Sequence, residues 1–113
     1  MAGADLDLLQ GTLDVLVLKA LSWGPRHGYA VAQWIRDRTA EDLRVEDGAL
    51  YTALHRMERR RFLKAEWGVT ETGRKAKYYL LTTTGREELA ARTTRWTTYA
   101  NAVFRVLRTA EGS

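Results

Sequence analysis

The stretch GALYTALHRMERRRFLKAEWGVTETGRKAKYYLLTTTG, residues 48–85, decides the fold of this chain. Residues 48–61 carry apolar side chains at three- and four-residue spacing, which predicts a helix with one buried face. Those side chains belong to Leu50, Ala53, Leu54 and Met57. Residues 62–68 and 77–82 are short alternating runs, and the polar, glycine-containing segment 69–76 separates them. This pattern predicts a β-hairpin that follows the helix directly.

The first half of the chain predicts two further helices. An apolar stripe extends over residues 6–21, and the Gly-Pro pair at 24–25 ends that helix. A second helix is predicted over residues 28–38 and a short strand over residues 43–45, after which Asp47 is placed to cap the next helix. The order helix, helix, strand, helix and hairpin predicts a winged helix-turn-helix in an α+β, mainly helical fold.

A long helix is predicted at the C-terminal end. Thr82 is placed to cap a helix over residues 83–109, which would extend about 40 Å at roughly 1.5 Å per residue. Its apolar side chains exceed what a small core can cover, so we expect two copies to pair through this helix and the first helix. We therefore divide the chain into a winged helix-turn-helix domain, residues 1–82, and a dimerisation helix, residues 83–113. The expected dimer interface contains Leu9, Leu13, Leu89, Trp96, Tyr99, Ala100, Val103, Phe104 and Leu107.

Positive charge is concentrated in the predicted third helix and hairpin. Residues 51–77 contain 8 Lys and Arg against 3 Asp and Glu, whereas residues 1–50 contain 5 against 8. A surface that only keeps a protein in solution would mix both signs, whereas a phosphate-binding surface concentrates one sign on one element. The charge distribution favours contact with a DNA duplex, although charged runs also occur as plain solvated faces.

The expected DNA contacts lie on the third helix and the hairpin. Side chains near the start of such a helix approach base edges, and basic side chains around it meet phosphates. The expected groove-facing residues are Ala49, Thr52, His55 and Arg56, and the expected phosphate contacts are Arg59, Lys64, Arg74, Lys75 and Lys77. A two-fold dimer presents two such helices, so we expect a pseudo-palindromic operator on double-stranded DNA.

Other classes of protein are less consistent with the sequence. The chain has no cysteine, and its two histidines, His27 and His55, do not form a ligand pair, so we expect no metal or other cofactor. No nucleophile–base pair, phosphate-binding glycine loop or carboxylate pair indicates an enzyme. Acidic residues near the N-terminus and the shortness of the run Val15–Leu18 predict a cytoplasmic protein without a membrane segment. The remaining alternative is a winged-helix module that binds a protein and has no operator.

Several motifs resemble the PadR family of bacterial transcriptional regulators. Gly48–Glu58, Leu63–Trp67 and Gly73–Thr82 match the signature of that family in order and spacing. Leu9–Leu21 and His27–Tyr29 resemble the family's first two helices, so the resemblance covers nearly the whole chain. The single helix at the C-terminal end resembles the smaller members of the family.

The resemblance implies a homodimeric winged-helix repressor, and it assigns roles to individual residues. It places Tyr51 against the DNA backbone and Lys77 against phosphate. It also implies that Trp96 lines a cavity at the dimer interface where a small, flat hydrophobic ligand can bind, for which we name Leu13, Trp96 and Tyr99.

Two positions depart from the family pattern. Thr52 replaces a proline, which returns a hydroxyl group that can reach phosphate or a base edge. Arg61 replaces a glycine at the end of the third helix, a position suited to a left-handed backbone that costs a non-glycine residue roughly 1 kcal/mol.

Overall fold

The structure, a computed structural model, describes residues 10–111. Its helices and strands, in chain order, are α1 (Gln10–Ala20), a 3-10 turn (Leu21–Trp23), β1 (Arg26–His27), α2 (Gly28–Arg38), α3 (Asp47–Arg59), β2 (Leu63–Val69), β3 (Lys75–Leu81) and α4 (Thr83–Leu107). This order confirms the predicted mainly helical α+β fold of a winged helix-turn-helix.

The sheet has three antiparallel strands in the order β1-β3-β2. The hairpin pairs Leu63 with Leu81 at its base and Val69 with Lys75 near its tip. The prediction of a strand at residues 43–45 was wrong, because the third strand is Arg26–His27, which pairs with Tyr78 and Tyr79. Residues 43–45 form no strand, and Leu43 and Val45 instead pack side chains against the core.

The helix ends follow the local sequence with one exception. The Thr82 hydroxyl accepts a hydrogen bond from the Gly85 amide at 2.9 Å, which confirms the predicted cap of α4. The prediction that Asp47 caps α3 was wrong. Glu46 occupies that position without a side-chain hydrogen bond, and Asp47 is the first helical residue, where its negative charge meets the positive end of the helix dipole. Past the end of α3, Arg61 adopts a φ of +66°, so the arginine takes the left-handed backbone to which this position is suited.

The core lies between α1, α2, α3 and the base of the hairpin. The predicted inward face of α3 is confirmed, since its four apolar side chains are at most 1% exposed. They pack with apolar side chains of the other elements, which include Leu13, Val17, Leu18, Leu21, Val31, Ile35, Phe62, Leu63 and Tyr79. Gly85 brings the start of α4 so close to the hairpin base that an added Cβ would lie 2.0 Å from the Phe62 carbonyl oxygen. The beginning of α4 is therefore fixed on the winged domain.

The second half of α4 extends away from this core. Large apolar side chains along it remain exposed, from 37% at Val103 to 73% at Val106, with Trp96, Tyr99, Phe104 and Leu107 between these values. Leu13 was predicted to lie in the dimer interface. Its side chain is only 6% exposed, so it belongs to the core of its own chain and not to a surface that a second copy could cover. Leu89 also packs partly against that core, and Leu9 lies outside the described residues. Within residues 10–111, no helix combines the length and apolar character that a bilayer span requires.

Candidate nucleic-acid interface

A cleft separates the hairpin from α3 and the start of α2. It has a volume of about 760 Å³ and is lined by aromatic and basic side chains from all three elements. Five of the predicted DNA contacts meet there, namely Tyr51, His55, Arg74, Lys75 and Lys77. Ala49, Thr52 and Arg59 are exposed on α3 outside this cleft, and Lys64 is exposed on β2. The fold therefore brings side chains from α3 and from the hairpin tip together on one concave surface.

Tyr51 is held at the junction of α3 and α2. A Cβ added to Gly28 would lie 2.6 Å from the Tyr51 hydroxyl, so the tyrosine ring rests directly on the first residue of α2. The ring is still 41% exposed, and its centroid lies 6.4 Å from that of His55. His27 caps the start of α2, where its Nδ1 accepts a hydrogen bond from the Ala30 amide at 3.2 Å. These contacts fix the floor of the cleft and leave the edge of the Tyr51 ring available.

The hairpin tip presents its basic side chains on a well-defined backbone. The Thr70 amide donates to the Arg74 carbonyl at 2.7 Å, and the Thr70 hydroxyl accepts from the Arg74 amide at 3.1 Å. Gly73 supplies the positive φ of +83° that closes the turn. Arg74 itself is exposed, and within residues 10–111 its side chain makes no hydrogen bond or ion pair. Its guanidinium group is therefore available to a phosphate.

Two lysines behind the tip are less free than Arg74. The Lys75 Nζ lies 5.3 Å from the centroid of the Trp67 ring. The Lys77 Nζ donates to Glu58 Oε1 at 3.3 Å and lies 5.4 Å from the Tyr79 ring. Burial raises the pKa of the Tyr79 hydroxyl above its usual value, and the nearby Lys77 charge opposes that effect. A phosphate would have to share Lys77 with Glu58, so Lys77 is the weaker of the predicted contacts.

Arg56 was predicted to face the groove, but its side chain turns toward α1 instead. Its Nη2 donates to Asp14 Oδ1 of α1, and its side chain is 22% exposed. The Asp14 side chain is only 4% exposed, so the pair lies against the interior of the domain. Because its charge already has a buried partner, the Arg56 guanidinium group is not available to DNA in this conformation.

A second groove lies between α1 and α4. It has a volume of about 330 Å³, and its walls include Thr12, Val15, Arg92, Trp96 and Tyr99. The indole Nε1 of Trp96 donates to the Thr12 hydroxyl at 3.1 Å. Two of the three predicted ligand contacts therefore line one groove, whereas Leu13 is buried beside it and does not. Among residues 10–111, no cluster of side chains has the composition of a metal site.

Comparison with known proteins identifies the family. The model of the transcriptional regulator PadR-like family matches residues 17–91, well over half of the chain. The chain belongs to this family. A solved PadR-family regulator from Eggerthella lenta is 30% identical, with a TM-score of 0.74 over 89% of this chain and 86% of that one. One from Clostridium difficile is 27% identical, with a TM-score of 0.73 over 84% and 97%. An uncharacterised protein from Lysinibacillus sphaericus is 30% identical over 90 residues, 80% of this chain and 83% of that protein.

Some residues of this PadR-like regulator were missed at the sequence level. Tyr29 and Trp67 line the cleft and are 70% and 67% exposed, but one aromatic side chain in a sequence does not reveal which surface it joins. Asp14 did carry a signal. It precedes Val17, Leu18 and Leu21 by three, four and seven residues, so a carboxylate stands on the apolar face of α1 and requires a buried partner there.

Proposed function

We propose that this PadR-like regulator is a homodimeric, sequence-specific DNA-binding repressor. In this proposal residues 1–82 bind the operator and residues 83–113 hold two copies together. The observation that carries it is the basic cleft beside the exposed face of α3, since both surfaces belong to the same end of the winged domain. Repression, rather than activation, rests on the resemblance of the chain to the PadR family.

The cleft and α3 suit different parts of a DNA duplex. The exposed Ala49 and Thr52 stand in the first half of α3, the part of such helices that approaches base edges in the major groove, and the exposed His55 lies one turn after Thr52. Arg74 and Lys75 extend from the hairpin tip, where they would meet phosphates on the flank of that groove. Tyr51 would contact the backbone between these two regions.

Homodimer formation is supported by the apolar surface of α4. Side chains that recur at three- and four-residue spacing from Trp96 to Leu107 are exposed in the single chain, and a second copy would cover them. Val103 lies near the middle of that stripe, whereas Thr98 lies about 140° round the helix from it. Val103→Glu should therefore yield a monomer in sedimentation equilibrium, and Thr98→Glu, which adds the same charge, should remain a dimer. A dimeric Val103→Glu protein would exclude this interface.

A small, flat hydrophobic ligand is the proposed effector, and the groove between α1 and α4 is its proposed site. Trp96 and Tyr99 supply flat apolar surfaces in that groove. Such a ligand should quench tryptophan fluorescence in the wild-type protein and not in Trp96→Phe. Equal quenching in both proteins would place the ligand elsewhere.

Footprinting on DNA tests the dimer and the interface together. Hydroxyl-radical cleavage of the region upstream of the gene should show two protected patches, related by a two-fold axis and separated by about one helical turn, 34–36 Å. One patch without symmetry would contradict a dimer on a pseudo-palindrome. No protection even at low salt would favour the alternative of a protein-binding winged helix.

A further inference from the structure

A buried carboxylate links the DNA-proximal helix α3 to the C-terminal helix α4. Asp14, on α1, binds Arg56 of α3 through Oδ1 and Arg92 of α4 through Oδ2, the latter at 3.1 Å. Arg56 and Arg92 have side chains that are 22% and 16% exposed. One side chain thus holds three helices by charged hydrogen bonds, which are stronger than neutral ones.

The network is closed by a fourth residue and balances in charge. Arg92 Nε also donates to Glu88 Oε2 at 2.5 Å, one turn earlier in α4. Two arginines and two acids therefore share this partly buried region, and the exposed Arg95 Nη2 lies 3.9 Å from the same Glu88 oxygen at its edge. Although burial disfavours the charged form, the bonds to Glu88 and Asp14 raise the pKa of Arg92 above its usual value. Loss of one member leaves an uncompensated charge in the network. The remaining side chains should then rearrange to find new partners.

The two ends of this network lie beside the two candidate binding surfaces. Arg56 follows Thr52 by four residues and His55 by one in α3, so the position of its guanidinium constrains the rotation of that helix. Arg92 precedes Trp96 by four residues in α4, and both line the groove between α1 and α4. A displacement of α4 at the groove would therefore alter the partners of Asp14 and, through Arg56, the presentation of α3.

We propose that Asp14, Arg56 and Arg92 form a relay through which α4 sets the orientation of α3 on DNA. The three are positioning residues and touch neither base nor phosphate. The relay rests on the proposed DNA-binding function for its effect on affinity, but its structural part is independent of DNA.

Arg92→Gln tests the relay, with Arg86→Gln as a matched control. Both substitutions remove one positive charge from α4, but the Arg86 side chain is exposed and, within residues 10–111, makes no ion pair or side-chain hydrogen bond. Arg92→Gln should weaken operator binding by at least about fivefold, the lower end of usual coupling between sites, and Arg86→Gln should stay within about twofold. The salt dependence of binding should remain that of the wild type, since no phosphate contact is lost.

Two further measurements separate a relay from a general loss of stability. In the free protein, Arg92→Gln should shift the NMR amide signals of Thr52 and His55 on α3, and Arg86→Gln should not. In an Arg56→Gln background, Arg92→Gln should have little further effect on affinity, because the relay is already broken. Arg92→Lys keeps the charge and serves as the second variant if Arg92→Gln does not fold; it should reproduce the α3 shifts in weaker form.

The relay is overturned if folded Arg92 variants match Arg86→Gln in both affinity and α3 signals. It is equally overturned if the effects of Arg56→Gln and Arg92→Gln on affinity add. A wild-type protein that binds no DNA would refute the proposed function alone, and the α3 signals of the free protein would still decide whether α4 controls α3.

Discussion

Arg74→Ala should lower the salt dependence of DNA binding in a way that can be calculated from the structure. Each phosphate contact adds about 0.9 to the slope of log affinity against log salt on duplex DNA. Arg74 is exposed at a fixed hairpin tip, and a dimer would carry two copies, so the slope should fall by about 1.8. Between 50 and 200 mM salt, wild-type affinity should then decrease about 12-fold more than that of the variant.

Fluorescence anisotropy titrations at several salt concentrations measure this slope. The matched control is Arg86→Ala, which removes an exposed arginine from the first turn of α4 at the base of the hairpin. The seven residues of β2 place that base about 20 Å from the tip, so Arg86 should not reach the same phosphate. A slope unchanged in Arg74→Ala, or lowered equally in Arg86→Ala, would refute the placement of the hairpin tip on the DNA backbone.

Three further predictions concern stability. Gly85→Ala forces a Cβ into the Phe62 carbonyl oxygen and should lower the free energy of unfolding by about 3 kcal/mol in urea titrations; an unchanged value would mean that α4 is not seated there. Arg61→Gly relieves a φ of +66° and should raise that free energy by about 1 kcal/mol. An unchanged free energy of unfolding would contradict the idea that Arg61 is strained. Burial raises the pKa of Tyr79, so its unfolded form ionises first and stability should fall as the pH rises above about 10. Tyr79→Phe should lessen this fall, and an identical pH profile would contradict it.

The parts of the fold that could be predicted have strong local signals. The α3 helix was predictable because Leu50, Ala53, Leu54 and Met57 follow its period, and α4 because Thr82 can cap a helix without tertiary contacts. The third strand could not be predicted in this way. Two residues are too few for a pattern, and Arg26–His27 is a strand only because β3 lies beside it.

The candidate site was predictable as a region more than as a set of individual contacts. Charge along the chain indicated the helix and hairpin, and the structure brings Tyr51, Arg74 and Lys75 to one cleft. The sequence could not show that Arg56 faces Asp14, because their partnership spans 42 residues and depends on how α1 crosses α3. Helical spacing alone leaves such a side chain on the boundary between core and solvent.

Specific binding to DNA is tested most directly by titrating the purified protein against its own upstream promoter fragment and a shuffled duplex of equal composition. Anisotropy at two salt concentrations should show tight binding to the promoter, much weaker binding to the shuffled duplex, and loss of both as salt rises. Equal weak binding to both duplexes would contradict sequence-specific recognition of this promoter, and no binding at low salt would contradict a DNA interface on this surface.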